Sequence, residues 1–250
     1  MSRAKVIRQQ IWEKLKPVAR PDSRFHLNFA EVIPDFEGSE QAIDRLVAQP
    51  TYREGHYAFI TPDNGLADLR RRMLADGKTL VVSTYGLYRG FVLLDPAGIP
   101  PGHHLFASWL DGLEHFGRPI SLAEIAARGR FDFMVTGASA VSLNGVRFGK
   151  GHGFFDLEWG MFTDVGVADE QTPVTAVVHD VQVVEELLEP SETDILVDAI
   201  ATPSRHLTIL RGKRPRGIHW DLLDPAQLAA TPPLQELKAL QGRSAPLSSC

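Results

Sequence analysis

Gly145-Val146-Arg147-Phe148-Gly149-Lys150-Gly151-His152-Gly153-Phe154-Phe155-Asp156 is the stretch on which the reading of this chain turns. Glycines at 149, 151 and 153 alternate with larger residues, cations stand at Arg147 and Lys150, and Asp156 falls where Phe154, Leu157 and Met161 begin an apolar segment of helical spacing. Glycine tolerates positive φ and close approach, so consecutive N–H groups in such a loop can converge on phosphate oxygens. A helix starting there adds its free N–H groups and the positive end of its dipole. The same composition also serves plain strand-to-helix turns, and the spacing matches neither the Walker nor the dinucleotide fingerprint. The stretch therefore predicts a strand-loop-helix unit with an anion site at its joint.

Working outward, helix followed by strand recurs. Thr61-Pro62 predicts a helix start, Leu66, Leu69, Met73 and Leu74 its apolar face, and Gly77 its end, before a β-branched strand over 79–84. Ser121 and Glu124 form a capping box for a helix with Leu122, Ile125 and Ala126 inward, closed by Gly129 before a strand over 131–135. Further strands are expected at 174–178, 197–201 and 207–210, and further helices at 2–15 (Ile7, Ile11 and Leu15), 38–48 and 233–240. This alternation predicts an α/β fold with a mainly parallel sheet, and with no repeat or linker the expectation is one domain over 1–250.

The 250 residues are 44% hydrophobic and carry a formal net charge of −5, which argues against a nucleic-acid partner by bulk electrostatics and makes any cationic site local. Cys250 is the only cysteine, so no internal disulfide or cysteine-built zinc site is available. No run of eighteen apolar residues suggests a membrane partner, and a cytoplasmic location is expected.

A phosphate in the loop needs a further cation and an acid for Mg²⁺. Arg8 on the first helix is the candidate cation and Asp156 the candidate metal ligand; an acid in a first helical turn also simply suits the dipole. His179-Asp180-Val181-Gln182 follows an apolar strand, at the edge where open sheets collect ligands, though His179 and Gln182 could equally close a turn. His103-His104 reads as loop, Trp12, Trp109, Trp159 and Trp220 as core, and Arg211, Lys213, Arg214 and Arg216 as a solvated turn. No Gly-x-Ser-x-Gly elbow is present.

Residues 147–156 resemble the Arg-x-Gly-x-Gly-x-Gly-aromatic-aromatic-Asp signature of the 5-formyltetrahydrofolate cyclo-ligases, or methenyltetrahydrofolate synthetases. The likeness extends to 7–12, Gly77-Lys78, 179–182, Asp194, Asp198 and Thr202-Pro203, and 149–159 is most similar to the branch called methenyltetrahydrofolate synthetase domain-containing proteins. The resemblance implies a three-layer αβα fold of the NagB/RpiA/CoA transferase type. It also implies ATP-dependent closure of 5-formyltetrahydrofolate to 5,10-methenyltetrahydrofolate, a reduced folate being the substrate and ATP with Mg²⁺ the cofactors. Lys5, Arg8, Arg147, Gly149, Lys150, Gly151, His152, Gly153 and Asp156 are then the nucleotide-binding set, Arg147 and Lys150 the catalytic cations, Asp156 the metal ligand, and Phe154, Phe155 and Gln182 the substrate contacts. Three departures accompany it. Ala4 stands where the family carries lysine, leaving Lys5 one place late; Phe154-Phe155 lack the tyrosine hydroxyls; and no pterin-reading acid stands out after Thr61. A non-catalytic or differently specific nucleotide- or folate-binding paralogue of the same fold is the alternative.

Overall fold

The computed structural model describes residues 3–244. Its middle layer is set by short runs whose side chains alternate between two apolar environments, as strand periodicity requires. Strand β1 is Tyr57–Ile60, β2 Thr79–Ser83, β3 Phe91–Leu94 and β4 Arg118–Ile120. Strand β5 is Phe133–Thr136, β6 Val174–Val177, β7 Ala199–Ala201 and β8 His206–Thr208. Phe59, Val81, Met134 and Ala176 point to one face, where they meet Ile125, Phe162 and Leu237 from helices Leu122–Arg128, Phe154–Asp164 and Pro232–Ser244. Ala58, Ile60, Leu80, Val82 and Val135 point to the other, against Ile43, Leu69 and Leu113 from helices Ser39–Val47, Ala67–Ala75 and Leu110–Phe116. The result is a three-layer αβα arrangement.

The spatial order is β8-β7-β6-β5-β1-β2-β3-β4. From β7 through β2 all neighbours are parallel, while β8 at one edge and β3 and β4 at the other are antiparallel additions. The chain leaves β1 towards β2 and returns to β1's opposite side as β5. The crevice beyond the carboxyl ends of β1 and β5 is thus the point where strand order reverses, the usual ligand position in open α/β sheets.

A second, three-stranded ribbon sits beside this crevice. Ala140–Ser142 pairs in parallel with Val183–Val184 and antiparallel with Arg147–Phe148. The N-terminal helix Arg3–Leu15 lays Ile7 and Ile11 against Ala140, Val146, Leu188 and Leu196 around it. The hairpin turn requires glycine at 145, where φ is 86° and a Cβ would lie 2.6 Å from the carbonyl oxygen of Val197.

Several expectations need correction. Thr61 does not start a helix: its N–H still donates to Val135 O and extends the sheet, so a 3₁₀ turn begins only at Asn64 and the α-helix at Ala67. Strands β1, β3 and β4, which the sequence reading lacked, are runs of only three or four residues, too short to carry a period. Ala126 is exposed, because the helix 122–128 needs only Leu122 and Ile125 to reach the core. His104 opens a short helix, His104–Ser108, and Trp109 is 50% exposed beside Phe106 rather than core. The basic turn is not simply solvated, because Arg214 is buried within it. Among the described residues no helix is long and apolar enough to cross a membrane.

Candidate functional site

A cleft of about 380 Å³ opens at the strand reversal. Its floor is made of strand ends: Thr61 and Asp63 after β1, Ser83 at the end of β2 and Thr136 at the end of β5. Asp63 ties the two central strands together there, its Oδ2 accepting from Gly137 N at 2.9 Å and from Thr61 Oγ1 at 2.6 Å. Beneath it the fully buried Arg70 donates to the carbonyls of Thr61, Asp63 and Ser108 at 2.8, 3.1 and 2.9 Å. A buried guanidinium so used fixes backbone rather than ligand, because its donors already have acceptors.

The glycine loop forms the wall above. Gly151 has φ 116° and Gly153, the residue capping helix Phe154–Asp164, φ 66°; both lie in the left-handed region that favours glycine. Arg147 is 5% exposed, stacks 4.6 Å over the Phe155 ring and reaches Gly137 O and Asp156 Oδ1 only at 3.5 Å each, while its buried Nε has no partner. Burial pushes the Asp156 carboxyl up; Arg147 opposes this and Asp194, next to the Ile195 N–H that reaches Asp156 Oδ1 at 3.4 Å, reinforces it. Arg8 donates from Nε to Gly149 O at 2.9 Å, so the first helix and the loop are physically joined, and burial lowers its guanidinium. Lys150 spans to the opposite wall, donating to Glu31 O at 2.8 Å with its ammonium 4.8 Å from the Tyr85 ring centre and 5.9 Å from that of Phe154. Desolvation lowers the lysine, against the pull of Asp63 and Glu31.

The cleft thus gathers Arg8, Arg147, Gly149, Lys150, Gly151, His152, Gly153, Phe154, Phe155 and Asp156 along one side. His152 is exposed, its ring 5.5 Å from that of Phe154. Two of the expected residues lie elsewhere. Lys5 is exposed and the cleft is lined by Ala4 and Arg8 instead, because a position one residue on is turned about 100° around the helix. Gln182 is 2% exposed and spent on backbone: its Oε1 accepts from His179 N and its Nε2 donates to Ala138 O at 2.6 Å. It shapes the segment after β5 and does not line the cleft.

Sequence reasoning missed four lining residues: Asp63, Tyr85, Glu158 and Asp194 in its acidic role. Tyr85 donates to the Glu31 carboxylate at 3.0 Å and stacks on Phe25, and burial with Glu31 pushes its hydroxyl up to about 12. Glu158 is 2% exposed, and burial, opposed by the nearby Ser83 hydroxyl, pushes its carboxyl up to about 8. One signal was available for it. A charged residue inside the apolar run 154–162 has no solvent face to occupy. Arg214, by contrast, belongs to the framework, donating to Leu196 O at 2.7 Å, Thr172 O at 2.9 Å and the Asp198 carboxylate while lying 5.1 Å over Trp159.

Comparison with known proteins follows the same lines. The model of the 5-formyltetrahydrofolate cyclo-ligase family matches residues 1–203. Methenyltetrahydrofolate synthase domain-containing proteins of Homo sapiens and Danio rerio are 34% and 30% identical over 239 and 243 residues, 93% and 94% of this chain. The chain spans 61% of the length of each of these relatives. A solved 5,10-methenyltetrahydrofolate synthetase of Aquifex aeolicus superposes with a TM-score of 0.51 at 18% identity, covering 87% of this chain and 98% of its own, which shows a shared fold.

Proposed function

The chain belongs to the 5-formyltetrahydrofolate cyclo-ligase family, and from that premise we propose that it converts 5-formyltetrahydrofolate to 5,10-methenyltetrahydrofolate at the expense of ATP. One observation carries the reading. Arg8, Arg147 and Lys150 and the backbone of the glycine loop line one cleft, at the strand reversal, with an apolar aromatic wall beside them. Three cations around a helix start suit a triphosphate, and Arg147 Nε is a buried donor with no acceptor of its own.

For Mg²⁺ the donor set fits modestly. Asp156 and Asp194 both line the cleft and Asp194 raises the Asp156 carboxyl, an effect that a nearby cation relieves. Among the described residues no group of three potential ligands occurs. Two carboxylates are what Mg²⁺ ordinarily takes when phosphates complete its shell. When bound there it would neutralise phosphate charge.

In the proposed reaction the formyl oxygen attacks the γ-phosphorus, ADP leaves, the second folate nitrogen attacks the activated carbon, and phosphate departs as the ring closes. The protein's part is positioning and charge stabilisation: Arg147 and Lys150 hold the transferring group, Arg8 holds the loop through Gly149, and Phe154 and Phe155 flank the folate. Purified protein with 5-formyltetrahydrofolate and Mg-ATP should show an ATP-dependent rise in methenyl absorbance. No rise, with ATP still bound, would favour the second reading, a paralogue that binds without turnover. The absence of hydroxyls from Phe154 and Phe155 is the observation on that side.

A further inference from the structure

Helix Phe154–Asp164 is enclosed on nearly every side: residue 155 and residues 157–163 are all buried. Glu158 is the one charged residue among them. Burying a carboxyl without compensation costs several kcal/mol, so such groups in stable folds are paired or have a task. Among the described residues Arg147 also keeps an unpaired buried atom, its Nε, whereas two other buried ions, Arg70 and Arg214, are paired. Arg70 spends its donors on three carbonyls and Arg214 on two carbonyls and Asp198. Glu158 differs, because its buried Oε2 has no hydrogen-bond partner and the residue lines the cleft.

We propose that Glu158 is a specificity-determining binding residue, its free Oε2 accepting an N–H from a flat heterocycle that enters the cleft with an amide- or amidine-type edge leading. The polarity of the floor supports a donor-bearing ligand edge. Asp63 and Asp156 both act on Glu158 there, and Arg147 and Lys150 supply the nearby positive charge. An anionic ligand end placed on those acids would be repelled, whereas paired N–H groups would be satisfied. Leu87, Leu110 and Phe155 line the same cleft and offer apolar surface to a ring. Identifying that ring as the pterin end of a folate rests on the cyclo-ligase reading; the N–H edge does not.

The test uses the full chain as wild type, Glu158→Leu and Glu158→Gln, titrated by calorimetry with 2-amino-4-hydroxypteridine and separately with Mg-ATP, alongside thermal melts without ligand. The expected result is about a tenfold or greater loss of pterin affinity in Glu158→Leu, a smaller loss in Glu158→Gln, ATP affinity within about twofold of wild type, and a melting temperature that does not fall. Equal pterin affinity in Glu158→Leu and wild type, or no pterin binding by wild type, overturns the inference. So does a melting temperature lowered in both variants, which would make Glu158 a structural brace. The parent reading fails separately: pterin binding that depends on Glu158, with no methenyl product from 5-formyltetrahydrofolate and Mg-ATP, refutes the cyclo-ligase and leaves Glu158 in place. Methenyl product with an unchanged KM for the folate in Glu158→Leu does the reverse.

Discussion

Two arginines stack on the same helix one turn apart, Arg147 over Phe155 and Arg214 over Trp159, and both are almost wholly buried. They are otherwise opposites. Arg214 is saturated at 2.7 to 2.9 Å by two carbonyls and paired with Asp198, whereas Arg147 has only contacts of 3.5 Å and a bare Nε. Burial is equal, so satisfaction separates a charge that braces the fold from one held ready for a ligand.

The contrast can be broken by mutation. Arg214→Ala leaves the carbonyls of Leu196 and Thr172 without this donor in a buried place and takes from Asp198 one of its two arginines, Arg211 remaining, and should cost about 3 to 5 kcal/mol in denaturant unfolding. A loss below about 1 kcal/mol would end the bracing reading. Glu158 extends the comparison to an acid. Its folded-state value near 8 lies above the ordinary 4.5, so the folded state binds the proton more tightly between those values and stability should fall as pH rises through that window. Glu158→Gln should remove that slope, a difference on the order of a few kcal/mol across the window at most. A slope identical to wild type would show the carboxyl to be no more acid-sensitive than an exposed one. Arg147→Ala and Lys150→Ala should weaken ATP binding by about 1 to 3 kcal/mol each while stability changes less than for Arg214→Ala. Unchanged nucleotide affinity in both would place the anion site elsewhere. Smallest is the control, Ser121→Ala, which removes a satisfied cap far from either arginine and should cost about 1 kcal/mol with nucleotide affinity untouched.

What could be read from the chain was what is local. The capping box at Ser121, the end at Gly77 and the strand-loop-helix around Gly153 depend on neighbours within a few positions, and the structure has all three. What could not be read depends on which strands become neighbours. Asp63 looks like an ordinary turn residue until β1 is placed beside β5, when its carboxylate faces Gly137. Gln182 looks like a ligand residue at a strand end until Ala138 O is brought to meet it. Thr61-Pro62 has the right local chemistry for a helix start, and pairing with Val135 overrides it. Lys5 shows the same limit at finer scale, since one residue of helical rotation decides between cleft and solvent.

The hydrogen bond from Arg8 to Gly149 spans 141 positions, and the turn at Gly145 closes against Val197, whose N–H donates to Gly145 O at 2.9 Å. The ligand loop is therefore a product of the whole chain in time as well as in space. As the polypeptide emerges, residues 145–156 have their first partner already made, but their last arrives about fifty residues later. Long-range closure of this kind is slow. Loss of either distant anchor should leave the loop unformed rather than slightly weakened, so the capacity to bind would appear late in folding and all at once.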